Sequence, residues 1–249
     1  MGHHLSNGSV QSVLQDKNVL IFGGTSGIGL AAAKQAKDAG AQVTVVGLKP
    51  ERARQIASEY GFDGWRATDV TRSETIAEAL TGIGQVDHLV LLAGSFVTGK
   101  VLEADVAHLR RAFDERVWAA IHILRALGNR LAPNGSITFV SGALSDRPNA
   151  YGTAVLAAAC ASMEALARGL ALELAPVRVN TLSPGPIETP LLTKALGENH
   201  DTVVNSMIET LPLHRLGTVT EAGAAIVFLM TNGWMNGATL NVDGGARLV

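Results

Sequence analysis

Short apolar runs alternate with longer stretches of helical period along most of the chain. Asn18–Phe22 (NVLIF) predicts a buried strand, and Gly27–Ala39 predicts a helix closed by Gly40. Further strands are predicted over Gln42–Val46, Gly64–Thr68, Val86–Leu92, Ser136–Val140, Val177–Leu182 and Thr239–Val242. Helices are predicted over Pro50–Tyr60, Ser73–Leu80, Val106–Leu131, Ala154–Ala175 and Thr220–Met230. Pro50 suits a first helical turn, and Pro133-Asn134-Gly135 reads as a turn.

The strands are continuously apolar rather than alternating, as expected when helices cover both faces of a parallel sheet. Right-handed crossovers then give an α/β fold, a doubly wound sheet of about seven strands in a single domain. Residues 1–15 are polar and read as a flexible N-terminal tail ahead of a domain over 16–249. Leu191–Pro212 breaks the rhythm and reads as an insertion over the carboxyl edge of the sheet. Its apolar residues, among them Leu192, Leu196, Val203 and Met207, make 190–216 a candidate substrate lid.

Composition narrows the partners. Of 249 residues, 47% are hydrophobic and 17% charged, so a folded core is expected. The net charge of −2 leaves no basic excess for a nucleic-acid backbone. Cys160 is the single cysteine, so no internal disulfide forms and a cytoplasmic location is expected. No uncharged apolar run approaches the roughly 18 residues of a membrane span, and no membrane partner is expected. His3 and His4 are set aside as an isolated pair, and no metal site is expected.

The segment Gly23-Gly24-Thr25-Ser26-Gly27-Ile28-Gly29 joins the first strand to the first helix. Its glycines permit a tight turn, and backbone amides at a helix N-terminus suit a pyrophosphate. The spacing G-x-x-x-G-x-G resembles the fingerprint of the short-chain dehydrogenase/reductase family, with Phe22 where threonine is usual. Asp69-Val70 resembles the family's Asp-Val that meets an adenine ring, and Ala93-Gly94 closes an Asn-Asn-Ala-Gly slot reading Leu91-Leu92-Ala93-Gly94 here. Pro184-Gly185-Pro186-Ile187-Glu188-Thr189-Pro190 resembles the loop over the nicotinamide, and Val242-Asp243-Gly244-Gly245 the family's C-terminal motif. The resemblance spans Asp16 to Val249 and implies a Rossmann fold that binds NAD or NADP through Gly23, Thr25, Ser26, Gly27, Ile28, Gly29, Asp69, Val70, Ala93, Gly94, Pro184, Gly185, Ile187 and Thr189.

An acid at the end of the second strand would favour NAD, but Gly47 stands there. Lys49 follows with Arg52 a turn away, so NADP(H) is the expected cofactor, NAD remaining possible.

The family's proton machinery is Asn, Ser and Tyr-x-x-x-Lys, and all four positions depart from it. Aligning Tyr151 on the motif puts Val155 on the lysine. Aligning Ala157–Pro176 on the family's helix pattern instead puts Leu156 on the tyrosine and Cys160 on the lysine, and is preferred. Gly142 fills the serine place, leaving Ser141 one residue away, and Arg116 replaces the asparagine. The substitutes expected from sequence are Tyr151 as an acid, Ser141 as a substrate contact, and Arg116 as a cation that stabilises an oxyanion without relaying a proton.

The expectation is therefore an NADP(H)-dependent oxidoreductase that reduces a small carbonyl compound or activated double bond with a non-standard proton donor. The alternative is a dinucleotide-binding protein that has lost turnover and acts as a sensor or assembly partner. The resemblance also implies a homotetramer or homodimer.

Overall fold

The computed structural model describes residues 13–249, so residues 1–12 of the tail predicted over 1–15 lie outside the described residues. The tail reading fails at Leu14. That side chain is 1% exposed, and its amide donates to the Ala39 carbonyl at 3.0 Å, so the domain begins before Asp16.

Seven parallel strands form one sheet in the order β3-β2-β1-β4-β5-β6-β7. They are β1 (Asn18–Phe22), β2 (Gln42–Gly47), β3 (Gly64–Ala67), β4 (Val86–Leu91), β5 (Leu131–Val140), β6 (Arg178–Pro184) and β7 (Thr239–Val242). The chain reverses direction across the sheet between β1 and β4, which pair Val19 with His88 through Phe22 with Leu91. That switch point opens the crevice in which ligands of doubly wound sheets bind.

The helices are α1 (Gly27–Asp38), α2 (Pro50–Tyr60), α3 (Ser73–Ala79), α4 (Val106–Phe113), α5 (Ala119–Leu127), α6 (Ala154–Glu173), α7 (Pro190–Leu196), α8 (His200–Thr210) and α9 (Val219–Thr231). One face of the sheet buries Ile21, Val43 and Val45 against α1 and α9. The other buries Leu20, Phe22, Leu89, Ile137 and Phe139 against Ile123 of α5 and Met163 of α6. Among the described residues, α6 alone has the length and apolarity to cross a membrane; its inner residues Leu156, Cys160 and Met163 are buried in the core.

Two expectations need correction. The helix predicted over Val106–Leu131 is broken by a π-helical turn, Asp114–Trp118, and ends at Leu127. Leu131 already pairs with Val86, and the Pro133-Asn134-Gly135 segment lies within β5, where the register with β4 shifts between Val86 and His88. Gly135 closes against the Asp87 and Ala132 carbonyls, so a glycine that looks like turn punctuation instead admits a close strand crossing.

His88 is buried at 6% exposure, and its Nδ1 lies 2.8 Å from Ser136 Oγ. Burial pushes its pKa from 6.5 down to about 4, the nearby Asp87 opposing that shift. A histidine held neutral in the fold but free to protonate when unfolded stabilises above pH 6.5 and loses that contribution as pH falls toward 4. The full loss is about 3 kcal/mol. Denaturant melts at pH 7 and pH 4.5 are expected to differ accordingly, and His88→Gln is expected to flatten the dependence. An equal drop in the variant would place the acid sensitivity elsewhere.

Candidate functional site

The loop between β1 and α1 is shaped by what a side chain would strike. Gly23 has φ +82°, and a Cβ there would lie 2.9 Å from the Ala93 nitrogen and Leu92 carbon. The two halves of the switch point are therefore in backbone contact. A Cβ on Gly29 would run into the Gly23 carbonyl oxygen. Gly27 has φ +53°, and Thr189 Cγ2 stands 3.6 Å from the place of its missing Cβ. That contact brings the 184–190 segment down onto the glycine loop.

Ser26 is the N-cap of α1, yet its exposed side chain makes no capping hydrogen bond. The first-turn amides thus lack a side-chain acceptor, and they carry the partial positive charge of the helix end. A diphosphate satisfies both, so the residues present fit a dinucleotide.

Thr25 faces the end of β2. A Cβ on Gly47 would come within 2.7 Å of Thr25 Cγ2, so an acidic side chain there requires the Thr25 side chain to shift. Leu48 is 67% exposed, and Lys49 is the exposed N-cap of α2 with no capping bond. Asp69 is engaged in its own turn, where Oδ1 accepts from the Thr71 amide at 2.9 Å and hydroxyl at 2.7 Å. Val70 lines a small void with Phe22, Leu91, Ala93 and Arg116. Ile187 is buried, pairs with Gly217 and packs in the core, while Thr189 caps α7 by accepting from the Leu192 amide at 3.1 Å.

At the inner end of the crevice the π-helical turn presents two neighbouring residues to one loop. Arg116 donates from Nη2 to the Ser95 carbonyl at 3.0 Å and from Nη1 to the Ala112 carbonyl at 3.3 Å. Its guanidinium lies 3.3–3.4 Å from where a Gly94 side chain would begin. The buried Glu115 accepts from the Ser95 hydroxyl at 2.6 Å and amide, and from Arg111 Nη2 at 2.6 Å. Burial raises the Glu115 pKa, but the bonds from Ser95 and Arg111 outweigh it and hold the carboxyl below its ordinary value.

Cys160, on α6, is buried with its Sγ 4.0 Å from the place of a Gly142 Cβ. Burial pushes its thiol pKa up, the charge of Arg116 pulls the other way, and that of Glu164 adds to the rise. Cys160 and Gly142 therefore adjoin, with Arg116 near enough to act on the thiol, while Leu156 is buried with Val97 and Leu109. Ser141 is 8% exposed and donates to Glu164 Oε1 at 2.6 Å, an acceptor shared with Ser145 at 2.8 Å.

The structure does not bring Tyr151 into this group. It is 85% exposed, and its turn is anchored by Gly152, whose carbonyl accepts from the Gly99 amide at 2.9 Å. Sequence reasoning also missed Glu115 and Glu164. A carboxylate beside Arg116 in a helix, and one a turn after Cys160, were the available signals. Among the described residues, no group of three or more His, Cys, Asp or Glu is placed to hold a metal.

A family profile described as enoyl-(acyl carrier protein) reductase matches residues 23–247. The chain belongs to the short-chain dehydrogenase/reductase family. It is 34% identical to the short-chain dehydrogenase/reductase ATR9 of Stachybotrys chlorohalonatus, over 94% of this chain and 98% of that one. It is 29% identical to a cyclic-di-GMP-binding biofilm dispersal mediator protein of Escherichia coli, over 92% and 96%. A small-chain dehydrogenase solved in complex with NADPH superposes with a TM-score of 0.81 at 32% identity, covering 94% of this chain and all of that one. Short-chain dehydrogenases/reductases bind NAD or NADP and act on small molecules, commonly as oligomers. In this short-chain dehydrogenase/reductase Gly23, Gly27 and Gly29 shape the turn between β1 and α1.

Proposed function

We infer that the protein is an NADP(H)-dependent reductase of a small carbonyl compound. One observation carries the reading: the fitted dinucleotide cleft ends at a guanidinium, Arg116, beside Cys160, where the family places its lysine. When bound, the dinucleotide supplies the hydride. The chain supplies the rest. The α1 amides and Thr189 hold the diphosphate end, and Arg116 stabilises the negative charge that grows on the carbonyl oxygen as its carbon is reduced. Arg116 retains its proton, so the proton that reaches this oxygen comes from another group. With Tyr151 exposed and Ser141 bonded to Glu164, solvent water is the simplest source. Tyr151→Phe is then expected to change kcat by less than about threefold, the range of a group outside the reacting shell.

Lys49 and Arg52 support NADP(H) over NAD(H), because a 2′-phosphate gains a charge-assisted bond there and Gly47 offers a ribose no carboxylate. Fluorescence titration is expected to show tighter binding of NADPH than NADH, with Lys49→Ala narrowing the gap; tighter NADH binding would reverse the assignment. Helices α7 and α8 bury none of their residues, which supports a lid role for 190–216. The single cysteine favours a reducing, cytoplasmic setting, and a dimer or tetramer follows the family pattern.

A second reading is a binding protein without turnover. The absent tyrosine and lysine favour it, as does the relative named for binding cyclic-di-GMP. NADPH consumption across a panel of carbonyl compounds separates the two. Reduction of any member supports the reductase, whereas binding with no oxidation of NADPH by any of them supports the binding protein.

A further inference from the structure

Among the described residues, no carboxylate forms an ion pair with Arg116, although it is half-buried. Glu115 is paired with Arg111, and Glu164, which accepts from Ser141 and Ser145, makes no contact with Arg116. The two bonds that Arg116 makes within the protein go to carbonyl oxygens, which orient a guanidinium without neutralising it. A partly desolvated cation without a counter-charge is unfavourable, and an arriving anion relieves the cost.

The cation is also held in place. Ser95 is clamped from two sides, with its amide and hydroxyl on Glu115 and its carbonyl on Arg116. Arg111 neutralises Glu115 from one turn before, at 2.6 Å, so Glu115 can fix the loop without becoming the counter-ion of Arg116. The π-helical turn lets sequence neighbours 115 and 116 converge on that one residue. Gly94, whose missing Cβ lies 3.3–3.4 Å from the guanidinium, and Cys160, on which its charge acts, bring no charge of their own.

We propose that Arg116 is an anion-recognition residue, that the substrate carries a carboxylate beside its reducible carbonyl, and that Glu115 is the positioning residue that aims it. This rests on the reductase reading for the carbonyl but not for the anion site. A guanidinium meets a carboxylate through two parallel N–H bonds, which an ammonium cannot reproduce. The diphosphate of the dinucleotide is the competing source of negative charge, and the test separates the two.

The probes are benzoylformate and its methyl ester, titrated calorimetrically into the protein with and without NADPH, and NADPH titrated alone. The wild type is expected to prefer the acid over the ester by at least about tenfold, the value of one charge-assisted pair. Arg116→Gln is expected to erase that preference while shifting the NADPH dissociation constant less than about threefold, within the scatter of an uninvolved residue. Arg116→Lys is expected to keep part of the preference. Glu115→Gln, which retains the shape and leaves Arg116 in place, is expected to weaken the acid preference and to speed hydrogen exchange at the Ser95 amide. Melting curves confirm that each variant is folded. Equal binding of acid and ester by the wild type, no binding of either, a preference that survives in Arg116→Gln, or a loss confined to NADPH affinity overturns the proposal. If NADPH fails to bind the wild type, the reductase reading falls. The anion site is then judged by the same acid-to-ester ratio without cofactor.

Discussion

Gly29→Ala is expected to lower NADPH affinity by at least about 100-fold, or roughly 3 kcal/mol. The added methyl would collide with the Gly23 carbonyl oxygen and lie 2.8 Å from the Gly23 carbon, both backbone atoms that no rotamer change can move. Gly23 cannot retreat, because its own Cα face abuts Leu92 and Ala93 across the switch point. The loop must therefore open, and the amides that converge on a diphosphate lose their common aim. Gly61→Ala provides the control. Gly61 also has a left-handed φ of +63°, but nothing lies within 4 Å of its missing Cβ. It is expected to cost about 1 kcal/mol of stability and leave NADPH binding intact. Titration of bound-cofactor fluorescence reads both, and an unchanged affinity in Gly29→Ala would remove the glycine loop from the site.

Cys160→Lys, which returns the family's lysine, is expected to destabilise the protein by about 3 kcal/mol rather than restore function. The new ammonium would enter a buried position whose present thiol already feels the charge of Arg116, setting two cations against each other in a poorly solvated space. Glu164, one turn on, accepts from Ser141 and Ser145 through Oε1 alone, so any pairing with the new ammonium would have to use Oε2. Pairing the change with Arg116→Asn is expected to recover most of the loss, giving a coupling energy of about 2 kcal/mol in a double-mutant cycle by thermal or denaturant unfolding. Additive effects would show that residues 116 and 160 do not share a site.

Read together, these two variants separate what is inherited from what has been replaced. Gly23 and Gly29 face backbone atoms alone and tolerate no side chain. A coupling between 116 and 160 in the double-mutant cycle would show that Arg116 is compatible with a thiol at 160 and not with an ammonium.

The sequence alone determined the sheet, most of the helices between its strands and the glycine loop, because each rests on local pattern: a short apolar run such as Val19–Phe22, a 3.6-residue period, a glycine where the backbone must turn. The resemblance to the family added the expectation of departures at 116, 142, 156 and 160, which rests on aligning its motifs on this chain. Only the tertiary structure decided what those residues do. The π-helical turn at Asp114–Trp118 has no signature in hydrophobic period, yet it directs Glu115 and Arg116 onto the same residue. Tyr151 looked available by sequence distance, and the Gly152–Gly99 contact turns it outward. The pairing of Ser141 with Glu164 joins a strand end to a helix across 23 residues. Hydrogen bonds and charge contacts of this kind depend on distances in space, and a linear chain specifies those only once it is folded.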